Sequence, residues 1–298
     1  MTAGNRPKPA DSRSAPLVSV KVPAYNHERY IEACLAGILA QKTAFPFEVV
    51  IGEDSSTDGT RGIVEAYAKA QPEVIRVVTS ESNVGPARNL ARIRAACCGE
   101  YEAMCEGDDL WIHPRKLQRQ VEFLEAHPDY VFCFHDTLFY REDKRARPRY
   151  YAPPDLPESP TVTDVLQRPP FIATSSILAR RSFLDALPAW RTQVLCGDLV
   201  VRLWGPHAGR IGYLNAIMAL RRRHTGGLSV QTGHRRMAEE AVKAYRLFDE
   251  ATGGRYARLV RDRIAFERQY ARLGTLCYLW RPSRARDRFR AVRSGAGL

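Results

Sequence analysis

No run of about 18 uninterrupted apolar residues occurs in this 298-residue chain, so no segment of it is built to span a bilayer as a helix. The opening residues, 1–15, have no apolar signal core. They are polar and proline-rich and are expected to form a disordered lead-in to a cytoplasmic protein. Cysteine is sparse and unpatterned. The seven residues (Cys34, Cys97, Cys98, Cys105, Cys133, Cys196 and Cys277) contain no C-x-x-C pair, which excludes a zinc ribbon and a disulfide framework. Reduced thiols agree with a cytoplasmic location. There is no internal repeat. Acidic residues are the minority charge: 33 Asp and Glu against 45 Lys and Arg leave a formal charge of +12 and a sequence pI near 9.6. That excess calls for an anionic partner, whether nucleic acid, nucleotide phosphate or acidic lipid.

With 45% hydrophobic residues the chain has enough to bury a sizeable core. LVSVKV (17–22) is a β-branched run ended by Pro23, and HERYIEACLAGILAQ has helical spacing at Ile31, Cys34, Leu35 and Ile38. Strand FEVVIGED (47–54) follows, then turn residues 56–59, a helix over about 60–70, strand VIRVVTS, helix PARNLARIRAAC, strand YEAMCE and a helix opened near Pro114. Four strand–helix alternations with short connections predict an open, mostly parallel twisted sheet flanked by helices. Ligands of such sheets bind beyond the carboxyl ends of the strands, where PAYNHE, EDSSTDG and EGDD all fall. Further on, YVFCFHDTLFY reads as a central strand, FIATSSILARRSFLDAL as a strand and short helix, and CGDLVVRLWGPHAG as a helix. RIGYLNAIMALRRRHTGG reads as a pair of short strands. From about 233 the chain turns helical and basic. The expected organisation is a lead-in over 1–15, an α/β domain over 16–232 in two halves (16–128 and 129–232) and a basic helical extension over 233–298.

The stretch MCEGDDLW packs Glu106, Asp108 and Asp109 into four positions, and unpaired carboxylates so close repel one another. It can be a solvated turn. It lacks the D-x-D-x-D-G spacing of a calcium loop. Its position at a strand end, beside two other polar tips, favours the remaining reading, a carboxylate pair holding Mn²⁺ or Mg²⁺ that bridges a diphosphate.

VSVKVPAYNHERYIEACLAGILAQ, EVVIGEDSSTDGT, NVGPARN and GEYEAMCEGDDLWIHPRKLQRQVEFLEAHPDY, in that order, resemble glycosyltransferase family 2, the inverting group with the GT-A fold. The resemblance runs over about 17–140 and resumes at CGD (196–198) and RRRHTGG (221–227). It implies a metal-dependent inverting transferase moving a sugar from a nucleotide-diphosphate sugar, UDP- or dTDP-linked, to a hydroxyl acceptor in cell-surface polysaccharide, glycolipid or natural-product glycosylation. A peptide or protein acceptor is the alternative. Glu106-Gly107-Asp108 matches the family's D-x-D motif, with Asp108 as metal ligand and Glu106 on the ribose or a metal-bound water; a glutamate in the first position departs from the pattern. Asp109 is either an orienting or sugar-contacting acid or a cap for the following helix. Asp54 matches the base-recognising aspartate, an acceptor-only group suited to an imide N–H. Pro23, Tyr25 and Asn26 would form the loop over the base, with Tyr25 as a stacking face. Arg88 would reach base or diphosphate, unless it is a surface arginine.

The resemblance further implies Asp198 as the general base, at the start of an apolar helix where an N-cap role is the alternative. It implies His224 as a metal ligand beside Arg221, Arg222 and Arg223, which cannot all face one way on a strand. The tail carries a helical apolar stripe (Tyr256, Leu259, Val260, Ile264, Tyr270). Leu279 and Trp280 stand next to Arg281, Arg284, Arg286 and Arg288. The tail is either a cap on the catalytic domain or a surface for an anionic membrane. A nucleic-acid-binding protein is the competing class. It is disfavoured because no aromatic platform or reading helix is present, and nucleic acid is not an expected partner. A nucleotidyltransferase would want a glycine-rich, basic loop after the first strand, and PAYNHE is not one.

Overall fold

The computed structural model describes residues 15–142 and 148–273. The first half alternates as its periodicity predicts, save for a short strand β5 that the pattern does not show: β1 (Val18–Ala24), α1 (Ile31–Leu39), β2 (Phe47–Glu53), α2 (Thr60–Ala70), β3 (Ile75–Val78), α3 (Pro86–Ala96), β4 (Tyr101–Met104), β5 (Leu110–Trp111) and α4 (Lys116–Ala126). Then follow β6 (Tyr130–Arg141), β7 (Arg149–Tyr150), α5 (Val162–Gln167), β8 (Leu178–Arg180), α6 (Arg181–Asp185), α7 (Gly197–Ala208), β9 (Arg210–Arg223), α8 (Leu228–Gln231), α9 (His234–Ala251) and α10 (Ala257–Leu273). Among the described residues the strands form one sheet in the order β3-β2-β1-β4-β8-β6-β9-β5, with β7 added on β6.

Strands β3, β2, β1 and β4 are parallel, β6 and β9 are parallel, and β8 runs antiparallel to both β4 and β6. The antiparallel insertion of β8 joins the two parallel groups into a mixed sheet. Strand β9 is a single 14-residue strand where the sequence pattern predicts a pair. Its register against β6 shifts around Asp136, and that irregularity breaks the period-2 alternation on which the pattern rests.

Val18, Val20 and Val22 of β1 are fully buried, as is expected of a central strand covered on both faces. The intervening polar residues are buried too, so each needs a partner. Ser19 donates to Glu48 Oε1 at 2.7 Å, and Lys21 Nζ donates to Glu102 Oε2 at 2.8 Å. Arg94 and Arg181 lie 3.3 and 3.8 Å from the same Glu102 carboxylate. Burial by itself would raise the Glu102 pKa, but Lys21, Arg94 and Arg181 outweigh it and hold the carboxyl below its ordinary value.

Two outcomes follow from this buried cluster. Glu102→Gln leaves three cations without their counter-charge and should lower unfolding stability by about 3–5 kcal/mol, read by chemical or thermal unfolding. A lowered carboxyl pKa contributes stability above the unfolded value near about 4.3 and loses it as pH falls through the folded value. The acid limb of a stability–pH curve should therefore flatten in Glu102→Gln.

The chain divides into two compact units. One holds the chain up to Leu187 together with Trp204–Arg223; the other holds Pro188–Leu203 together with His224 onward. In the second unit α9 and α10 pack as a hairpin. Tyr245, Phe248 and Val260 are buried, Phe248 stacks on Tyr256 at 5.6 Å, and the Arg263 guanidinium lies 5.6 Å over the Tyr245 ring. No helix of the described residues is long and apolar enough to cross a membrane. The expectations for 1–14 and for Cys277, Leu279, Trp280, Arg281, Arg284, Arg286 and Arg288 lie outside the described residues.

Candidate functional site

Three loops leave the carboxyl ends of β1, β2 and β4, and hydrogen bonds hold the first two together. Asn26 takes a left-handed backbone, φ 54°, a conformation that asparagine tolerates better than most residues. Its Oδ1 accepts the Thr57 N–H at 2.8 Å, and its own N–H donates to Ser56 Oγ at 3.1 Å. The His27 N–H donates to Thr60 Oγ1, the Glu28 N–H to Asp58 Oδ2 and the Gly59 N–H to Glu28 Oε2. Asp58 also accepts from the Thr60 N–H and hydroxyl, the work of a turn residue ahead of α2. Asn26 is thus spent on joining the two loops, while Tyr25 beside it is 42% exposed and keeps a ring face open.

Asp54 is buried, and four donors converge on its carboxylate. They are Ser80 Oγ at 3.2 Å, the Val84 N–H at 3.0 Å, the Gly85 N–H at 2.9 Å and an Arg92 guanidinium nitrogen at 3.3 Å. It therefore ties the chain ahead of α3 to the end of β2. Arg88 is exposed on α3, and Arg92, one turn further along, is the arginine that meets Asp54. Sequence spacing could not separate the two, because both lie on the same helix and only its packing angle decides. Glu53, next to Asp54, is also buried, accepting the Ser56 N–H and pairing with Arg61 at 2.8 Å.

The acidic tip hangs from the first loop, because the Gly107 N–H donates to the Pro23 carbonyl at 3.1 Å. Glycine at 107 lets the tip pack closely: an added Cβ would sit 2.7 Å from His27 Nδ1 and 3.0 Å from Ile31 Cδ1 and would push those side chains aside. Asp108 stays half-buried at the tip, while Asp109 turns inward and is buried. The positive partner of the cluster comes from β9. The Arg222 N–H donates to Asp109 Oδ1 at 3.0 Å, and the Arg222 guanidinium donates to the Asp108 carbonyl at 2.9 Å. The same guanidinium lies 5.5 Å over the ring of Tyr30, whose hydroxyl donates to Glu142 at 2.6 Å. Arg221, which meets Phe139 and Tyr151, also lies close enough for its positive charge to favour the ionised Asp109.

Burial first, and then the neighbouring Asp108 carboxylate, push Asp109 up to about 7. A second negative charge is disfavoured there unless a cation compensates it. No three or more His, Cys, Asp or Glu side chains converge into a metal cage among the described residues. The donor set suits an ion that takes one or two carboxylate oxygens from protein and the rest from phosphate, the habit of Mg²⁺ and Mn²⁺. Beneath the tip, burial pulls Lys116 down to about 7; its Nζ donates to Gln120 and lies 3.9 Å over the Trp111 ring. Set in the polar run PRKLQRQ, this lysine carries no local signal of burial.

Asp198 and His224 belong to the second unit. Helix α7 begins at Gly197, so Asp198 stands inside its first turn and not at the cap position that the sequence offers as the alternative. Its carboxylate pairs with Arg202 at 2.7 Å and is partly exposed. His224 is buried at the end of β9, against the Gly226-Gly227 turn.

A mixed sheet carrying an acidic tip and an interlocked pair of loops at the carboxyl rim of its parallel strands defines an α/β protein of the GT-A fold. The model of glycosyl transferase family 2 matches residues 19–187, more than half of the chain. The protein belongs to that family. An uncharacterized protein of Mycobacterium tuberculosis is 37% identical over 219 residues, covering 72% of this chain and 62% of its own length. TuaG of Bacillus subtilis, whose name places it in teichuronic acid biosynthesis as a glycosyltransferase, is 38% identical over 154 residues, 51% of this chain and 58% of its own. This chain thus spans about three-fifths of the length of those relatives. Among solved structures, Staphylococcus aureus TarS in complex with UDP-GlcNAc aligns with a TM-score of 0.58 at 20% identity, over 76% of this chain and 65% of that one. The mannosyltransferase PcManGT of Pyrobaculum calidifontis, in complex with GDP-Man and Mn²⁺, aligns with a TM-score of 0.57 at 19% identity, over 96% and 77%. At these identities the likeness establishes the fold.

Proposed function

We propose that this protein is a metal-dependent inverting glycosyltransferase that moves a sugar from a nucleotide-diphosphate donor to a hydroxyl acceptor in cell-surface polysaccharide synthesis. The observation that carries the reading is the acidic tip Glu106-Gly107-Asp108 at the end of β4, hung on the β1 loop, in a chain of this family. Relatives and neighbours support it: TuaG is named for a cell-surface polymer, TarS binds UDP-GlcNAc and PcManGT binds GDP-Man with Mn²⁺.

In this reading Tyr25 stacks on the nucleotide base, and Asp54 offers it an acceptor while still serving the donors that surround it. Asp108, with His224 as a further ligand, would hold Mn²⁺ or Mg²⁺. That ion, when bound, supplies positive charge to the departing diphosphate. Arg222, carried to the acidic tip by β9, adds a fixed cation of the same sign. Asp198 takes the proton from the acceptor hydroxyl as it attacks the anomeric carbon opposite the leaving group. Asp109 orients the tip through the Arg222 N–H.

Screening hydrolysis of a panel of UDP-, dTDP- and GDP-sugars with and without Mn²⁺ tests the proposal. Metal-dependent release of nucleoside diphosphate from at least one donor is expected. UDP or GDP with Mn²⁺ should raise the melting temperature and DNA should not. Stabilisation by DNA alone would overturn the reading.

Tyr245, Phe248 and Val260 are buried in the hairpin, and Arg235, Arg236, Arg246, Arg258, Arg261 and Arg268 are exposed on it, outnumbering the exposed acids Glu239, Glu250 and Asp262. This supports contact with an anionic membrane through charge. Binding to phosphatidylglycerol vesicles should rise with anionic lipid and fall with salt, because exposed charges are screened within about 8 Å at physiological ionic strength. Equal binding to neutral vesicles would reduce the hairpin to a structural role.

A further inference from the structure

Glu240 plays no part in the chemistry above, yet it grips the chain that leads to Asp198. It stands half-buried on α9, and its Oε2 accepts the Leu195 N–H at 2.9 Å. Three positions on, and so on the same face of the helix, Lys243 donates from Nζ to the Gln193 carbonyl oxygen. The two side chains hold the main chain on either side of buried Val194, immediately before α7 begins at Gly197. From the helix side, Arg202 holds the Asp198 Oδ2 at 2.7 Å. Arg202 is in turn close enough to Tyr245 of α9 for its charge to be felt there. Helix α9 is itself fixed by α10 through Arg263, which pairs with Glu267 at 2.8 Å and covers the Tyr245 ring. Every one of these groups belongs to the second unit.

We infer that Glu240 is a positioning residue. By anchoring the Leu195 N–H it sets where the first turn of α7 starts, and hence where the Asp198 carboxylate points. The inference rests on the reading of Asp198 as general base, and it gives the α9–α10 hairpin a task in catalysis. A carboxylate is the suitable anchor because a charge-assisted bond to a main-chain N–H is roughly twice as strong as a neutral one. Aim matters because a misplacement of about 1 Å at a reacting group can cost roughly 10²-fold in rate.

Hydrogen exchange at the Leu195 amide, measured in the full chain, reads the anchor without any substrate. Glu240→Ala removes the acceptor, whereas Glu240→Gln keeps an oxygen of the same reach. Exchange at Leu195 should accelerate about tenfold or more in the alanine variant and by a clearly smaller factor in the glutamine variant, whose neutral oxygen makes a weaker bond. The acceleration should be confined to 193–199, with the buried Val260 amide of α10 as internal reference. In parallel, hydrolysis of UDP-GlcNAc and GDP-mannose with Mn²⁺ should show kcat falling about 10- to 100-fold in Glu240→Ala, with donor KM unchanged and most of the loss restored in Glu240→Gln. Unchanged Leu195 exchange in Glu240→Ala, or acceleration spread equally to Val260, overturns the anchor. If Asp198→Asn is inactive and Glu240→Ala retains full kcat, the positioning role alone is overturned. If Asp198→Asn keeps its rate, the general-base reading fails and the positioning role with it, whatever the exchange shows.

Discussion

Asp198→Asn should leave the donor bound and nearly abolish transfer. A base that accepts a proton only in the transition state affects turnover far more than ground-state affinity, here by roughly 10²–10⁴-fold. The structure sharpens the control. Asp198 lies in the first turn of α7, where a carboxylate gains from the positive end of the helix dipole, and it pairs with Arg202 four residues on. The dipole term is typically about 0.3–1 kcal/mol, and a partly exposed i,i+4 pair adds about 0.3–0.5 kcal/mol. The asparagine variant should therefore melt within a few degrees of the wild type. Turnover, donor affinity by calorimetry and melting temperature, measured on one preparation, decide the matter. Transfer near the wild-type rate would move the base to another residue. A collapse in stability would mean that the Asp198–Arg202 pair is chiefly structural.

Asp108→Asn should weaken metal-dependent nucleotide binding and lower turnover together. The substitution preserves the shape of the tip and removes one charge. Because the Arg222 guanidinium is bonded to the Asp108 carbonyl, and not to its carboxylate, the loop should hold its course in the variant. What is lost is the carboxylate's share in holding a divalent ion against the diphosphate. Charge stabilisation of that kind contributes several kcal/mol, or roughly 10²–10³ in rate. Titration of UDP in the presence and absence of Mn²⁺ separates the effects. The wild type should show a large Mn²⁺-dependent gain in affinity and the variant little. Full metal-dependent activity in Asp108→Asn would refute the assignment.

The chain order of strands and helices up to residue 126 could be read before any coordinates, because hydrophobic period is a local property and here it is strong. The three polar tips could be placed on one rim for the same reason: in a parallel sheet all carboxyl ends face one way. The acidic tip, the turn role of Asp58 and the helical character of 234–273 were legible on those terms, while the pairing of α9 with α10 was not. What stayed hidden was which distant residue answers each local demand. VSVKV shows two polar residues in a buried strand, but their partners are Glu48 and Glu102, the latter 81 positions from Lys21. NVGPARN offers Arg88, and packing of α3 selects Arg92 for Asp54. EGDD poses a charge problem that β9 answers, with the charge of Arg221 acting on Asp109 and Arg222, 114 positions from Asp108, holding its carbonyl; both arrive because β5 pairs with β9. The segment with Asp198 shares a unit with the C-terminal helices, although some 30 residues of strand and turn separate them in the chain. Sequence by itself determined most elements of the first half, their order and the rim at the carboxyl ends of the strands, since each depends on neighbours a few residues away; β5 and the single strand β9 were not legible in that way. The tertiary structure alone decided the pairings of buried charges and the bonds from Glu240 and Lys243 to the main chain ahead of α7. Those contacts join residues far apart in the chain, and burial makes each charge depend on its partner without marking that partner in the local pattern.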